Sequence, residues 1–199
     1  MNIYLVRHGE TVLNVSRAYY GSLDVEMTGR GVSQAKEVGR LLRDVQLDRV
    51  YASSLRRAVD TAAIIAGVQE GNPEIIKVPG FKEMDFGVFE GLTYQEAMAK
   101  YPKEYEKWCK DWKTFQMPRG ESFQMQYERV VDAFYKVLEE NSGENILIVA
   151  HNGTLRSIFS VMMGTGMDGT WHFDFTQGAY SQVEYAYDNF TIRKINALI

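Results

Sequence analysis

The chain has 199 residues, of which 45% are hydrophobic and 24% are charged, and its net charge is -4. These values fit one soluble globular domain over residues 1–199 and argue against a general nucleic-acid or anionic-membrane binder, since no basic run or tail is present. The one cysteine, Cys109, excludes an internal disulfide, and no apolar run approaches the roughly 20 residues that span a bilayer. We therefore expect a cytoplasmic protein without membrane contact.

Apolar, β-branched runs predict the strands of one sheet. Buried parallel strands are predicted at residues 2–6, 48–52, 75–78 and 145–150. The tail alternates apolar and polar residues, which predicts antiparallel strands at residues 171–175, 182–187 and 190–195. Asp188-Asn189 is a hairpin turn signal between the last two.

In the segments between these strands, apolar residues recur at the spacing of a helix. Helices are predicted at about residues 28–44, 55–66, 94–100, 103–114, 122–140 and 154–163, with Ser53 or Ser54 capping the second. The stretch at about residues 83–120 is rich in aromatic residues and is predicted to be a helical, lid-like insertion over a site. The fold class predicted is α/β: a mixed, mostly parallel central sheet with helices on both faces.

Cationic residues follow three of the predicted parallel strands. Arg7 and His8 follow the first strand, Arg56 follows the second, and His151 follows the strand at 145–150. Because ligands of α/β sheets bind at the carboxyl ends of the strands, these side chains predict one anion site. Arginine suits a phosphoryl group because its planar fork meets two oxygens at once.

Two further residues are predicted to bind the anion. Asn14 offers a side-chain amide, and Gly21 would let backbone N–H groups approach closely. The helix that follows Gly153 would point its positive N-terminal end at the same place.

Nearby arginines favour a neutral imidazole, which could attack phosphorus as a nucleophile. A metal site is a weak alternative, because neither His8 nor His151 lies in an HxH or HExxH motif and arginines would repel a cation. A serine nucleophile at Ser53 or Ser54 is disfavoured because no GxSxG motif is present. We assign no role to His172.

The leaving oxygen needs a proton, and three carboxylates are candidate donors: Glu10, Glu83 and Glu121. Spacing alone does not choose among them.

The ordered motifs resemble the histidine phosphatase superfamily, which is also called the phosphoglycerate mutase-like fold. The resemblance is carried by Arg7-His8-Gly9-Glu10-Thr11 with Asn14, Thr28-x-x-Gly31-x-x-Gln34-Ala35, Ser53-Ser54-Leu55-x-Arg57-Ala58-x-x-Thr61-Ala62, Glu83 ahead of Phe86-Gly87-x-Phe89-Glu90-Gly91, Gly120-Glu121-Ser122, and Val149-Ala150-His151-Asn152-Gly153. These motifs run from Arg7 to Gly153 in the order of the family.

The resemblance implies a role for each pocket residue. His8 would be the nucleophile that becomes phosphorylated, and Glu83 the proton donor. Arg7, Arg56 and His151 would complete the catalytic set, with Arg57 facing elsewhere. Asn152, which stands where the family often has glycine, joins the predicted substrate-binding residues Arg7, Asn14, Gly21 and Arg56. No metal or nucleotide cofactor is implied.

The compact chain resembles the phosphatase branch, so the function expected is hydrolysis of a small phosphate monoester through phosphohistidine. The alternatives are phosphoglycerate mutase-type phosphoryl transfer and a non-catalytic domain that binds a phosphorylated ligand. The expected partners are a small phosphorylated metabolite and a second copy in a homodimer, without nucleic acid.

Overall fold

Six strands form one mixed sheet in the computed structural model, which describes residues 1–198. The strands are β1 (Asn2–Arg7), β2 (Arg49–Ser53), β3 (Ile75–Val78), β4 (Asn145–Ala150), β5 (Tyr180–Ala186) and β6 (Asn189–Ala197). Their order across the sheet is β3-β2-β4-β1-β5-β6. The first four strands are mutually parallel, while β5 and β6 are antiparallel additions at one edge. The predicted fold class is confirmed.

The parallel register sets where the site can form. Arg7 at the end of β1 pairs with Ala150 at the end of β4, and Ala52 of β2 pairs with Val149 of β4. The residues that follow β1, β2 and β4 therefore emerge side by side at one edge of the sheet.

Seven α-helices lie within the described residues. They are α1 (Val12–Ser16), α2 (Gly29–Leu41), α3 (Arg56–Ala66), α4 (Tyr94–Lys100), α5 (Pro102–Lys110), α6 (Phe123–Glu139) and α7 (Asn152–Met162). Short 3-10 helices occupy Pro79–Phe81, Gly87–Phe89 and Met167–His172. The six predicted helices are all present, whereas α1 was not predicted, because five residues are too few to show a helical period.

Helices cover both faces of the sheet. Because successive strand residues point to opposite faces, alternate residues of one strand pack against different helices. Ile3 and Leu5 of β1 pack with α6 and α7, whereas Tyr4 and Val6 pack with α2 and α3. The four central positions of β1 and the last five of β4 are buried, which explains why both read as continuous apolar runs.

The helices α4 and α5 belong to a third apolar cluster beside the sheet. The ring of Tyr19 lies 5.3 Å from Phe86 and 5.4 Å from Trp108, measured between ring centroids. The aromatic residues of the segment 83–120 thus pack against the loop that follows α1, next to the carboxyl end of β1.

Two predictions for the tail are wrong in detail. The proposed strand at 171–175 is not formed: a 3-10 helix ends at His172, and Phe173 packs edge-on against Phe159 with centroids 4.6 Å apart. Alternating aromatic residues here serve packing against α7 instead of a strand ladder. The hairpin turn lies one residue earlier than predicted, at Tyr187 and Asp188, which both have positive φ angles as a two-residue hairpin turn requires.

Among residues 1–198, no helix is both long enough and apolar enough to cross a lipid bilayer.

Candidate active site

A cavity of about 190 Å³, the histidine pocket, opens beside the ends of β1 and β4. The rings of His8 and His151 lie in its wall with centroids 5.1 Å apart, and both are almost fully buried. Other polar residues in the wall are Arg7, Asn14, Tyr19, Tyr20, Arg57, Glu83 and Asn152. The parallel register of β1 and β4 thus brings the two imidazoles together.

The second arginine of the histidine pocket is Arg57, so the placement predicted for Arg56 is wrong. Arg57 has no exposed surface, and its Nε donates a hydrogen bond to Nδ1 of His151 at 3.2 Å. Its terminal nitrogens donate to the carbonyls of Leu23 at 2.7 Å and Gly21 at 2.9 Å. Three of its five N–H groups are thus held by the protein.

Arg56 points to solvent instead. Its side chain is 57% exposed and forms ion pairs with Glu26 and Asp60. Successive helix residues are turned by about 100°, so two neighbouring arginines cannot share a face. The buried face of α3 consists of Arg57, Ala58, Thr61, Ala62, Ile65 and Ala66.

Arg7 supplies the other positive charge. One terminal nitrogen donates to the carbonyl of Phe175 at 3.1 Å. Its Nε is buried and has no hydrogen-bond partner in the described part of the chain. Because buried donors are rarely left unpaired, this atom is available to an anion in the pocket.

The tautomer of His8 follows from its one side-chain hydrogen bond. Nδ1 lies 2.8 Å from the carbonyl oxygen of Gly9, which only accepts, so Nδ1 carries the proton. Nε2 then keeps its lone pair. Burial, followed by the charges of Arg57 and Arg7, lowers the pKa of His8 well below its ordinary value. His8 is therefore a neutral imidazole with one free nitrogen.

His151 uses both ring nitrogens within the protein. Because the Arg57 Nε can only donate, Nδ1 of His151 accepts, and Nε2 carries the proton that it donates to the hydroxyl of Ser53 at 2.7 Å. Burial and then the charge of Arg57 lower the pKa of His151 well below its ordinary value. In a serine triad a carboxylate would accept from Nδ1, so the arginine here opposes a serine nucleophile.

The capping role predicted for Ser53 or Ser54 is also wrong. The N-cap residue of α3 is Leu55, which has no side-chain cap. The Ser53 hydroxyl instead contacts His151.

The neutral histidines predict a pH dependence of stability. Because their pKa values are lower in the folded than in the unfolded chain, the unfolded chain binds more protons below pH 6.5, and stability falls as the pH falls. Each histidine contributes up to about 1.4 kcal/mol, so the free energy of unfolding should drop by about 2–3 kcal/mol from about pH 7.5 to about pH 5.5. Urea unfolding at the two pH values measures this change.

His8→Asn should reduce that drop by about half, because one of the two buried imidazoles is gone. His172→Asn is the matched control, since His172 is exposed and should leave the drop unchanged. A drop that is the same in His8→Asn as in the parent chain would contradict the expectation.

Among the three candidate acids, only Glu83 lines the histidine pocket. Its Oε2 accepts from the N–H of Gly153 at 2.9 Å and its Oε1 from the N–H of Met84 at 3.0 Å. A Cβ on Gly153 would come within 2.5 Å of Oε1, so glycine is required for this approach. The amino end of α7 thus positions Glu83.

The other two carboxylates hold loops together. Glu10 accepts from the hydroxyl of Thr28 at 2.9 Å, at the start of α2. Glu121 makes a two-pronged ion pair with Arg129, with both N–O distances at 2.8 Å.

The predicted anion contact of Gly21 is wrong. Its N–H donates to the carboxylate of Glu90 at 2.9 Å, so it is not free for a ligand. A Cβ at this position would lie 1.5 Å from the carbonyl oxygen of Met84, and close packing of two loops therefore explains the glycine.

Asn14 and Asn152 do line the histidine pocket. The Oδ1 of Asn14 accepts from Gln177 at 2.9 Å. Asn152 has both amide ends engaged, with Asp174 at 2.9 Å and with the N–H of Phe175 at 3.2 Å. Its side chain fixes the loop after the 3-10 helix rather than pointing a free amide at the cavity.

Sequence reasoning missed Tyr20, whose ring lies 4.7 Å from the guanidinium carbon of Arg57 and whose hydroxyl lies 2.9 Å from that of Thr11. It also missed Gln177, which donates to the carbonyl of His8 at 3.2 Å. Neither lies in a motif, and no local pattern marks them.

Comparisons with known proteins agree with this geometry. The model of the family described as histidine phosphatase superfamily (branch 1) matches residues 3–198.

The chain belongs to the histidine phosphatase superfamily.

An adenosylcobalamin/α-ribazole phosphatase of Escherichia coli (strain K12) is 32% identical over 197 residues, which cover 99% of this chain and 96% of that protein. Phosphoserine phosphatase 1 of Hydrogenobacter thermophilus is 30% identical over 98% of this chain and 92% of its own length. The crystal structure of the α-ribazole phosphatase from Shigella flexneri superimposes with a TM-score of 0.93 at 33% identity, covering 99% and 96% of the two chains. The superfamily member described here is a phosphoric monoester hydrolase.

Proposed function

We propose that this histidine phosphatase hydrolyses small phosphate monoesters in two steps, with His8 as the nucleophile that carries the phosphoryl group between them. The observation that carries the proposal is the hydrogen bond from His8 Nδ1 to the Gly9 carbonyl at 2.8 Å, because it leaves Nε2 unprotonated in a pocket with two arginines. A neutral imidazole nitrogen beside positive charge is a competent nucleophile for phosphorus.

Phosphate binding would use donors that the protein leaves open. The buried Nε of Arg7 is unpaired among residues 1–198, and Arg57 has two N–H groups beyond the three that the protein holds. Charge develops on the equatorial oxygens during phosphoryl transfer, and fixed guanidinium groups stabilise it without reorganisation. His151 would position Arg57 through its Nδ1.

In the first step, Nε2 of His8 forms a bond to phosphorus while the bond from phosphorus to the ester oxygen breaks. Glu83, in its acid form, gives its proton to the departing oxygen, so an alcohol leaves. In the second step, Glu83 takes a proton from water, the water oxygen attacks phosphorus, and the P–N bond breaks. Inorganic phosphate leaves and His8 regains its lone pair.

The natural substrate is proposed by class. The relatives are named for α-ribazole and phosphoserine phosphatase activity, and a phosphorylated alcohol of this kind is the expected substrate. A mutase would return the phosphoryl group to substrate, so phosphate release that exceeds phosphoglycerate interconversion supports hydrolysis. Substrate screening in the presence of a metal chelator also tests the prediction that no metal is needed.

The other predictions made from the sequence stay predictions. They are a homodimer, a cytoplasmic location, one domain over residues 1–199, and a helical, lid-like insertion at about residues 83–120. Asn14, whose Nδ2 makes no hydrogen bond among the described residues, is proposed to donate to the phosphoryl group, and Asn152 is proposed to support the wall of the histidine pocket.

Glu83→Gln tests the two-step scheme. For an alkyl phosphate, kcat should fall by about 10²–10⁴-fold, because the poor leaving group needs a proton. With p-nitrophenyl phosphate, whose leaving group needs none, the variant should still release about one equivalent of nitrophenol in a burst and then stall, because water attack lacks its base. Stopped-flow absorbance and inorganic phosphate assays measure the two phases.

Glu10→Gln is the matched control, since Glu10 neighbours the nucleophile in sequence but contacts Thr28. It should keep steady-state turnover within a few-fold of the parent. Undiminished turnover of the alkyl phosphate by Glu83→Gln would overturn the assignment.

A further inference from the structure

A second cavity of about 170 Å³, the aromatic cavity, adjoins the histidine pocket and shares Glu83 and Phe86 with it. All three tryptophans of the chain, Trp108, Trp112 and Trp171, line this cavity. They come from α5, the residues after α5 and the 3-10 helix before β5, so their meeting is a tertiary feature.

The walls are formed by packed rings. Trp112 meets Trp171 edge-on, with centroids 5.5 Å apart, and lies 5.0 Å from Phe123. Trp171 is nevertheless 59% exposed. The guanidinium carbon of Arg156 lies 5.2 Å from the centroid of the Trp171 ring, so the indole is held in the wall and adds apolar contact area for a ligand.

Two buried donors in this apolar wall have no partner in the described residues. Gln126 has no exposed surface, and its Oε1 lies 3.3 Å from the Ser157 hydroxyl, while its Nε2 is unpaired. The Nε of Arg156 is also buried and unpaired. Buried donors are rarely left without an acceptor, so a ligand that supplies acceptors would complete the site.

The charge at the cavity is already balanced. Arg156 forms an ion pair with Asp174 at 2.8 Å, and Glu83 lines the same cavity. A carboxylate on the ligand would therefore find no unpaired positive charge there, whereas an uncharged acceptor would suit both donors.

We propose that the aromatic cavity holds the leaving group of the substrate, and that this group contains a flat, uncharged aromatic ring with a hydrogen-bond acceptor atom. This inference rests on the proposed function, because it places the phosphoryl group in the adjoining histidine pocket. An apolar cavity of about 150 Å³ accepts benzene, so about 170 Å³ suits a ring of that size or a small fused pair. A small aliphatic leaving group would leave the cavity unfilled.

Binding of non-hydrolysable phosphonates tests this without requiring turnover. The probes are 2-naphthylethylphosphonate, its quinolinyl analogue, which adds a ring nitrogen, and butylphosphonate, which lacks a ring. Calorimetric titration should give a Kd at least about 10-fold lower for the naphthyl than for the butyl compound. The quinolinyl compound should bind more tightly again.

Two variants locate the effect. Trp171→Ala, at an exposed residue, should weaken the naphthyl compound by about 5–10-fold and leave butylphosphonate unchanged. Gln126→Leu, which keeps the size and removes the donor, should remove the quinolinyl advantage. Tyr94→Ala is the control, because Tyr94 is a 53% exposed ring outside the cavity.

Equal affinity for all three phosphonates would overturn the inference, as would equal losses for butyl and naphthyl compounds in Trp171→Ala. Failure of the proposed function has a different signature: no phosphate release from any ester, and no phosphorylated His8. A chain that binds aromatic phosphonates selectively without releasing phosphate would keep the inference about the cavity and refute the hydrolytic scheme.

Discussion

Arg57→Ala is expected to lower kcat/KM by about 10²–10³-fold, whereas Arg56→Ala should leave it within about 2-fold of the parent. Arg57 is fully buried between His151 and two backbone carbonyls, so its charge would act at close range on a phosphoryl group bound as proposed. Arg56 is 57% exposed and paired with Glu26, where its charge is screened by solvent. Steady-state kinetics on one phosphate monoester compares the two neighbours directly.

Arg57→Ala also removes the donors for the carbonyls of Gly21 and Leu23, so loss of folding must be separated from loss of catalysis. Arg57→Lys keeps the charge without the planar fork and should lie between the parent and the alanine variant. Thermal unfolding curves of all variants provide the check on folding. An Arg56→Ala variant as impaired as Arg57→Ala would contradict the placement.

His8→Ala is expected to lower kcat by at least about 10⁴-fold, because removal of a nucleophile leaves only binding and electrostatic effects. In the parent chain, rapid quenching with ³²P-labelled substrate should trap a phosphoenzyme that is labile in acid and stable in base. The variant should trap none.

His172→Ala controls for removal of an imidazole in general, since His172 is exposed and outside the histidine pocket. It should retain the phosphoenzyme and the activity. An acid-stable label would instead point to a serine such as Ser53. Turnover that survives in His8→Ala would contradict a phosphohistidine intermediate.

The tertiary arrangement couples the two cavities through one short network. Asp174 accepts from Asn152, which lines the histidine pocket, and from Arg156, which lines the aromatic cavity. Both partners lie in the first turns of α7, whose Gly153 N–H also holds Glu83. The amino end of α7 therefore supplies residues to both cavities and also holds Glu83.

The local pattern was sufficient for most of the fold. β1 and β4 are continuous apolar runs because they are buried on both faces. β1, β3 and β4 lie within one residue of their predicted ranges. The strand at 171–175 failed because alternation of apolar residues also arises where aromatic side chains pack on a helix, as Phe173 does on Phe159.

The site was predicted less completely, for a physical reason at each residue. Placing His8 and His151 needed only the rule that parallel strands share an edge. To predict that Arg57 faces the pocket, one must know how α3 is rotated about its axis. The contacts of Ala58 and Ala62 with the sheet set that rotation.

The sequence alone determined where the parallel strands end. It also determined that His8 and His151 follow two of these strands and that arginines lie near them, because each of these features depends on a short-range pattern. Only the tertiary structure decided that Arg57 and not Arg56 faces the pocket, that Gly21 gives its N–H to Glu90, and that Trp171 joins Trp108 and Trp112 in one wall. These choices depend on how helices and loops are turned against the sheet, and that rotation is the sum of many long-range contacts.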